Sequence, residues 1–209
     1  MIGIFGGTFD PIHYGHLRTA LDVKEALNLE RVLFVPVNQA VHRNQPLASS
    51  RQRLAMVRAA VADEDCFDFD EVELNRDGPS YMIDTLHALC MQNPDKKFAL
   101  LLGGDAFNDF LTWRRPLEIA SLCHIVVMKR PGYLLPEDPQ LKEFVDQREI
   151  ASAEMLCRTG SSAVFFQRVT QLDISATDIR NRVANRENIR FLLPDSVIRI
   201  IRQQHLYGG

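Results

Sequence analysis

His13 and His16 stand three residues apart in GGTFDPIHYGH, the stretch from Gly6 to His16 that follows the short apolar run MIGIF. At the start of a helix, side chains at that spacing project from neighbouring points of one face. Two imidazoles over a helix N-terminus suit a phosphate chain, because each donates hydrogen bonds and a phosphate favours the cationic form. The helix start adds backbone donors of its own. Gly6 and Gly7 let the loop backbone approach an anion, and Gly15 removes a side chain between the two rings. A metal would need a third ligand, and none accompanies the pair. The dinucleotide fingerprint G-x-G-x-x-G is missing, since the glycines fall at positions 3, 6, 7 and 15. The second apolar run ends in VPVNQ with no acid for a ribose hydroxyl, and G-x-x-x-x-G-K-[ST] does not occur.

A second group stands near the C-terminus in DISATDIRNRV, residues 173–183. Ser175 or Thr177 can cap a helix there, and Arg180 would project from its first turns. Hydroxyls, amides and a guanidinium at one helix start make a phosphate cradle. Alone, the pattern is that of an ordinary capped helix with an exposed arginine.

The elements that must position these groups alternate along the chain. IGIF (2–5), RVLFVP (31–36), FALLLG (98–103), HIVVMK (124–129) and AVFFQ (163–167) are nearly continuous apolar runs, the pattern of parallel strands covered on both faces. FDFDEVEL (67–74) alternates and predicts a strand nearer an edge. Between them, Leu17, Ala20, Leu21 and Leu27 line one helical face. Ser49 and Gln52 have capping-box spacing ahead of Leu54, Val57 and Val61. SYMIDTLHALCMQ starts a helix behind Pro79, and DSVIRIIRQQHL forms a last one after Pro194. The alternation predicts a three-layer α/β domain with right-handed crossovers. RPGYLLPEDPQ (130–140) reads as a surface excursion rather than a boundary.

With 209 residues, 46% hydrophobic and 24% charged, the chain has the size and composition of one soluble globular domain. A net charge of −3 gives no reason to expect nucleic acid or a membrane as partner. The four cysteines are far apart and read as reduced thiols, which with the absence of a leader or membrane-spanning run predicts a cytoplasmic protein. The pattern carries no signal of oligomeric state.

Taken together, Gly-x-Phe-x-Pro-x-His-x-Gly-His behind the first strand and Ile-Ser-x-Thr-x-Ile-Arg near the end resemble the nucleotidyltransferase superfamily. RDGPSYMIDTL (76–86), LLGGDAFNDFLTWRRP (101–116), VMKRPGY (127–133) and FLLPDSVIRIIRQQHLY (191–207) extend the resemblance, almost end to end, to the bacterial nicotinate mononucleotide adenylyltransferases. The resemblance implies a Rossmann-like three-layer nucleotidyltransferase fold with a mostly parallel sheet and a helical C-terminus. It implies one domain over 1–209, with about 173–209 completing the ATP site. The implied reaction joins ATP and nicotinate mononucleotide into nicotinate adenine dinucleotide and pyrophosphate, a step of NAD biosynthesis.

The resemblance also implies roles. His13 and His16 bind the ATP phosphates, and Arg180 stabilises departing pyrophosphate. Gly6, Gly7, Thr8 and Phe9 line the same loop, while Ile174, Ser175 and Thr177 hold the β- and γ-phosphates. Gly103, Gly104 and Asp105 meet ribose hydroxyls. Trp113 stacks on the pyridinium ring, with the nicotinate carboxylate read near Met82, Thr85 and Arg114. Asn38, His42 and Arg43 are candidates for the mononucleotide phosphate. Mg²⁺ is expected on the nucleotide phosphates and not in a protein cage. The chain departs from the family pattern in three places: Met82 replaces a threonine, Ala176 a serine, and Ala40-Val41-His42 a Pro-Pro-His. Two other readings stay open, one with nicotinamide mononucleotide as the preferred substrate and one as a nucleotide-binding module without turnover.

Overall fold

Strand and helix alternate as the apolar runs require, through β1 (Ile2–Gly7), α1 (Tyr14–Ala26), β2 (Arg31–Pro36), α2 (Ser50–Val61), β3 (Phe67–Phe69) and α3 (Met82–Gln92). They continue through β4 (Phe98–Gly103), α4 (Gly104–Asn108), α5 (Pro116–Leu122), β5 (His124–Lys129), α6 (Pro139–Asp146), α7 (Ala153–Arg158), β6 (Val164–Arg168), α8 (Ala176–Ala184) and α9 (Asp195–Gln203). The computed structural model describes all residues except 40–44, 130, 131, 134–136, 161 and 209, and leaves out the side chain of Cys157. The strands form one parallel sheet in the order β3-β2-β1-β4-β5-β6. The chain therefore leaves β1 towards one edge and returns to its other side at β4. The carboxyl ends of β1 and β4 open into the crevice where parallel α/β sheets bind ligands.

Both faces of the sheet are covered, which is why its inner strands β1, β2, β4 and β5 are largely apolar. Along β2, Val32 and Phe34 face a core shared with Leu17, Met56, Val57, Ile179 and Ile201, while Leu33 and Val35 face one shared with Ile83, Leu86, Phe107 and Ile119. Only Phe67–Phe69 of the expected 67–74 strand joins the sheet, at its edge beside β2. The Asp70 amide makes the last bond to Phe34, and the Asp70 carboxylate then takes the Val72 amide at 2.8 Å, which turns the backbone away from the ladder.

Two helix faces differ from expectation. In α1 the inward residues are Leu17, Ala20 and Val23, and Leu21 is half-buried. In α2 they are Arg53, Met56, Val57 and Val61, and Leu54 is half-buried. The Ser49–Gln52 capping box forms as predicted. No helix among the described residues is long and apolar enough to cross a membrane. Burial pushes the Cys123 thiol up to about 12, so it stays protonated.

His124, the first residue of β5, is fully buried, and neither ring nitrogen has a hydrogen-bond partner among the described residues. Burial, with a smaller repulsion from Lys97, holds its pKa below the ordinary 6.5. The ring is neutral in the fold and takes up a proton on unfolding once the pH drops below about 6.5. The unfolded state then binds more protons, so stability falls with pH between that value and the folded-state pKa, and is indifferent to His124 above it. His124→Leu is expected to lose part of the drop in thermal midpoint seen on going from about pH 7 to pH 5. Parallel pH profiles for variant and parent would contradict this.

Candidate active site

Gly7 ends β1, and Phe9 turns the chain with φ 49°, a conformation costly for a bulky residue. The turn drives the Phe9 ring into the core, edge-on to Phe5 with centroids 5.7 Å apart and to His16 at 5.2 Å. A Cβ on Gly7 would lie 2.8 Å from that ring, so a larger residue would have to displace it. At Gly6 the same atom would lie 2.8 Å from Met82 Cε, which brings the start of α3 against the end of β1.

His13 is the N-cap of α1, and its ring stacks on that of His16 with centroids 3.8 Å apart and planes 27° from parallel. The sequence reading is met here: the two imidazoles share one face of the first turn. The His13 backbone N–H donates to His16 Nδ1 at 3.3 Å. A nitrogen that accepts carries no proton, so this bond assigns the His16 proton to Nε2 and makes that side of the ring the donor. The helix amides contribute less than expected. Tyr14 N–H donates to the Leu192 carbonyl, and His16 and Leu17 N–H to that of His13, so the rings are the main donors this turn presents.

The second cradle lies against the first. Ser175 caps α8, its Oγ accepting from the Asp178 amide at 3.1 Å. Arg180 spans the gap: Nη1 donates to the Asp10 carbonyl at 2.7 Å and Nη2 to Thr177 Oγ1 at 3.2 Å. Both hydroxyl oxygens thus act as acceptors, which leaves each hydroxyl proton to donate elsewhere. Ile174 brings its carbonyl to 3.5 Å from where a Gly15 Cβ would sit, and that Cβ would also be 2.9 Å from the His13 ring. Glycine at 15 therefore leaves room for the His13 ring, while the Ile174 carbonyl at the start of α8 stands at ordinary contact distance.

Beside them, Gly103 and Gly104 carry β4 into α4. A Cβ on Gly104 would be 2.5 Å from the ring of Tyr133, whose hydroxyl donates to Asn108 Oδ1 at 2.7 Å. A Cβ on Gly103 would meet none of the described residues within 4 Å, and Asp105 is exposed. Burial, and secondarily the Asp105 carboxylate, raise the Tyr133 pKa.

The residues expected to hold the mononucleotide lie around the start of α3. Arg114 places its guanidinium 4.7 Å over the Tyr81 ring and 3.9 Å from the Asp84 carboxylate. Trp113 is half-buried, packed at 5.7 Å against Phe110 in the core. Asn38 is fixed by its amide on Ser80 Oγ (3.0 Å) and its side chain on the Arg76 carbonyl (3.3 Å). Thr85 corrects the sequence reading. It has no exposed surface, and its hydroxyl donates to Glu73 Oε1 at 2.8 Å, so it supports the pocket from behind. His42 and Arg43 lie outside the described residues.

Three buried polar groups, Asp10, Glu73 and Arg53, and the half-buried Tyr207 have no place in the sequence reading. The Asp10 carboxylate accepts from the amides of Leu47 and Ala48 and from the Tyr207 hydroxyl at 2.7 Å. Burial, then the bond to Asp10, raises the Tyr207 pKa. Glu73 takes the Thr85 hydroxyl and the Asn38 amide. Arg53 is 1% exposed and donates to three carbonyls, those of Thr8 (2.7 Å), Ala48 (3.2 Å) and Asn38 (3.3 Å). Burial lowers the Arg53 pKa, and Asp10 and Glu73 act against that. One signal for Arg53 was present: it precedes Met56 and Val57 by three and four positions, which places it on their inward face.

The parallel α/β architecture agrees with the fold of known proteins. The profile of the cytidylyltransferase-like family matches residues 4–182. A protein of Methylococcus capsulatus named probable nicotinate-nucleotide adenylyltransferase is 42% identical over 209 residues, all of both chains. One of the same name from Marinobacter nauticus is 46% identical, over 99% of this chain and 96% of its own. A Plasmodium falciparum nicotinic acid mononucleotide adenylyltransferase, solved in complex with NaAD, shares the fold with a TM-score of 0.73 at 18% identity, over 99% of this chain and 97% of its own. The chain belongs to the cytidylyltransferase-like nucleotidyltransferases and, among them, to the nicotinate-nucleotide adenylyltransferase family.

Proposed function

We propose that the protein transfers the adenylyl group of ATP to nicotinate mononucleotide, releasing pyrophosphate and forming nicotinate adenine dinucleotide for NAD biosynthesis. The observation that carries this reading is the bond from Arg180 to the Asp10 carbonyl, which unites two phosphate cradles at the crevice of a parallel sheet. In this reading the domain spans residues 1–209, with about 173–209 completing the ATP site, and it works in the cytoplasm.

The 5′-phosphate of the mononucleotide attacks the α-phosphorus of ATP, one P–O bond forms, and the bond to the β-phosphate oxygen breaks. A phosphomonoester has its second pKa near about 6, so the nucleophile is mostly dianionic at neutral pH and needs no protein base. What the site supplies is alignment and charge. His16 donates from Nε2 to the phosphates, with His13 stacked behind it. Ser175, Thr177 and Arg180 receive the β- and γ-phosphates, and Arg180 stabilises pyrophosphate as it leaves. Magnesium enters with the nucleotide, on its phosphate oxygens. The backbone about Gly103 and Gly104, with Asp105, meets ribose, and Gly6, Gly7, Thr8 and Phe9 wall the phosphate loop. On the other side Trp113 stacks on the pyridinium ring, and the amides at the start of α3 near Met82, with Arg114, read the nicotinate carboxylate. Asn38 faces the mononucleotide phosphate.

The direct test is pyrophosphate release from MgATP with nicotinate mononucleotide, nicotinamide mononucleotide or phosphopantetheine. Strong preference for the nicotinate form is expected. Preference for the amide would overturn the reading of the carboxylate pocket, and no release with any acceptor would leave a binding module.

His16→Ala is expected to lower kcat by about 100- to 1000-fold, the usual effect of removing one transition-state donor, while the fold and the affinity for the mononucleotide persist. Turnover close to the parent's would remove His16 from the chemistry. Trp113→Ala should raise KM for the mononucleotide about 10-fold with little change for ATP, in line with a lost cation–π contact. An unchanged KM would return Trp113 to a packing role.

A further inference from the structure

Arg53 is the most deeply buried charged side chain of the described residues, yet it makes no close ion pair among them. Charged groups are seldom sealed from water without a partner, and arginine offers five donors in a rigid planar fork. Here the fork is spent on three backbone carbonyls, one in the connection after β1 and two at opposite ends of the connection from β2 to α2. Thr8 lies in the loop that leads to the histidines, Asn38 follows β2 on the mononucleotide side, and Ala48 precedes α2. The charge is answered from two sides: Asp10 belongs to the phosphate loop, and Glu73 holds the Asn38 amide. Asp10 is itself the residue whose carbonyl receives Arg180 and whose carboxylate receives Tyr207.

A packing role alone would be served by an apolar residue among Met56, Val57 and Val61, which would avoid the desolvation cost of a cation. The carbonyls that Arg53 gathers belong to the two loops that must present the two substrates to each other. We infer that Arg53 is a positioning residue, which fixes the separation of the phosphate loop at Thr8 from the mononucleotide loop at Asn38 and thereby sets the in-line approach of acceptor phosphate to the α-phosphorus. It touches neither substrate. Its effect falls on the encounter of the two and not on the binding of either one.

This inference rests on the adenylyl-transfer reading. Arg53→Lys keeps the charge but cannot reach three carbonyls from one nitrogen. Its kcat should fall about 100-fold, the scale of a misplacement of about 1 Å, while the dissociation constants for ATP alone and for the mononucleotide alone stay within about 3-fold of the parent's. Ser49→Ala serves as control, since it removes the cap of the same helix and should lower the thermal midpoint without that loss of kcat. Tyr207→Phe deletes only the hydroxyl that holds Asp10, and so covers the case in which the lysine variant does not fold. It should lower kcat about 5-fold with both binding constants kept, an effect smaller than direct loss of a transition-state donor. A folded lysine variant with kcat within 2-fold of the parent's overturns the inference. So does a loss of turnover matched by equal losses in the separate affinities. Should the lysine variant not fold, an unchanged kcat in Tyr207→Phe overturns it. A parent protein inactive with ATP and every acceptor would instead overturn the reading of the reaction.

Discussion

A single 2.7 Å bond from Arg180 to the Asp10 carbonyl joins segments 170 positions apart, and the phosphate site depends on what that bond demands. It requires the start of α8 to lie against the start of α1. Beside that contact, glycine at 15 leaves space for the His13 ring, which lies 2.9 Å from where a Cβ would sit. The bond also requires the phosphate loop to offer a carbonyl outward, which the left-handed turn at Phe9 and the buried Asp10 carboxylate arrange between them. Each cradle alone would be an ordinary capped helix. Their contact brings the two together, and the proposed polyphosphate site rests on it.

Bringing two polyanions together is the main physical obstacle to the reaction, and the response of the fold is local. The chain as a whole carries −3, so no long-range field draws phosphates in. The donors converge instead at short range: the His16 ring oriented by a backbone N–H, the guanidinium of Arg180, and two hydroxyls whose oxygens are already engaged. Groups held in place before the reaction need no reorganisation during it, which is where electrostatic catalysis gains its effect. The mononucleotide side is built differently, from a half-buried tryptophan, the start of α3 and a second layer of buried polar groups behind them.

The groups proposed to bind phosphate stand out in the sequence because their types are unusual at their spacing. No packing rule asks for two histidines, a proline and three glycines between residues 6 and 16. Four inner strands were legible because they are buried on both faces, and the edge strand β6 because its apolar residues Val164, Phe165 and Phe166 run together. The short β3 was overread, since alternation continued past the point where the Asp70 side chain captures the backbone. What stayed hidden was the supporting layer. Arg53 went unremarked although its spacing to Met56 and Val57 places it on their face, and Thr85 reads as a pocket hydroxyl until Glu73 is seen to hold it. The pairing of Tyr207 with Asp10 spans 197 positions, and no local pattern encodes a contact at that range.

The central claim is that the helix starts of α1 and α8 form one triphosphate site. A crystal structure of the protein with magnesium and a non-hydrolysable ATP analogue tests it most directly. The account predicts the phosphate chain between the two helix starts, with His16 Nε2 and the Arg180 guanidinium both within hydrogen-bond distance of phosphate oxygens. Phosphates bound by one helix start alone, or away from both, would contradict it.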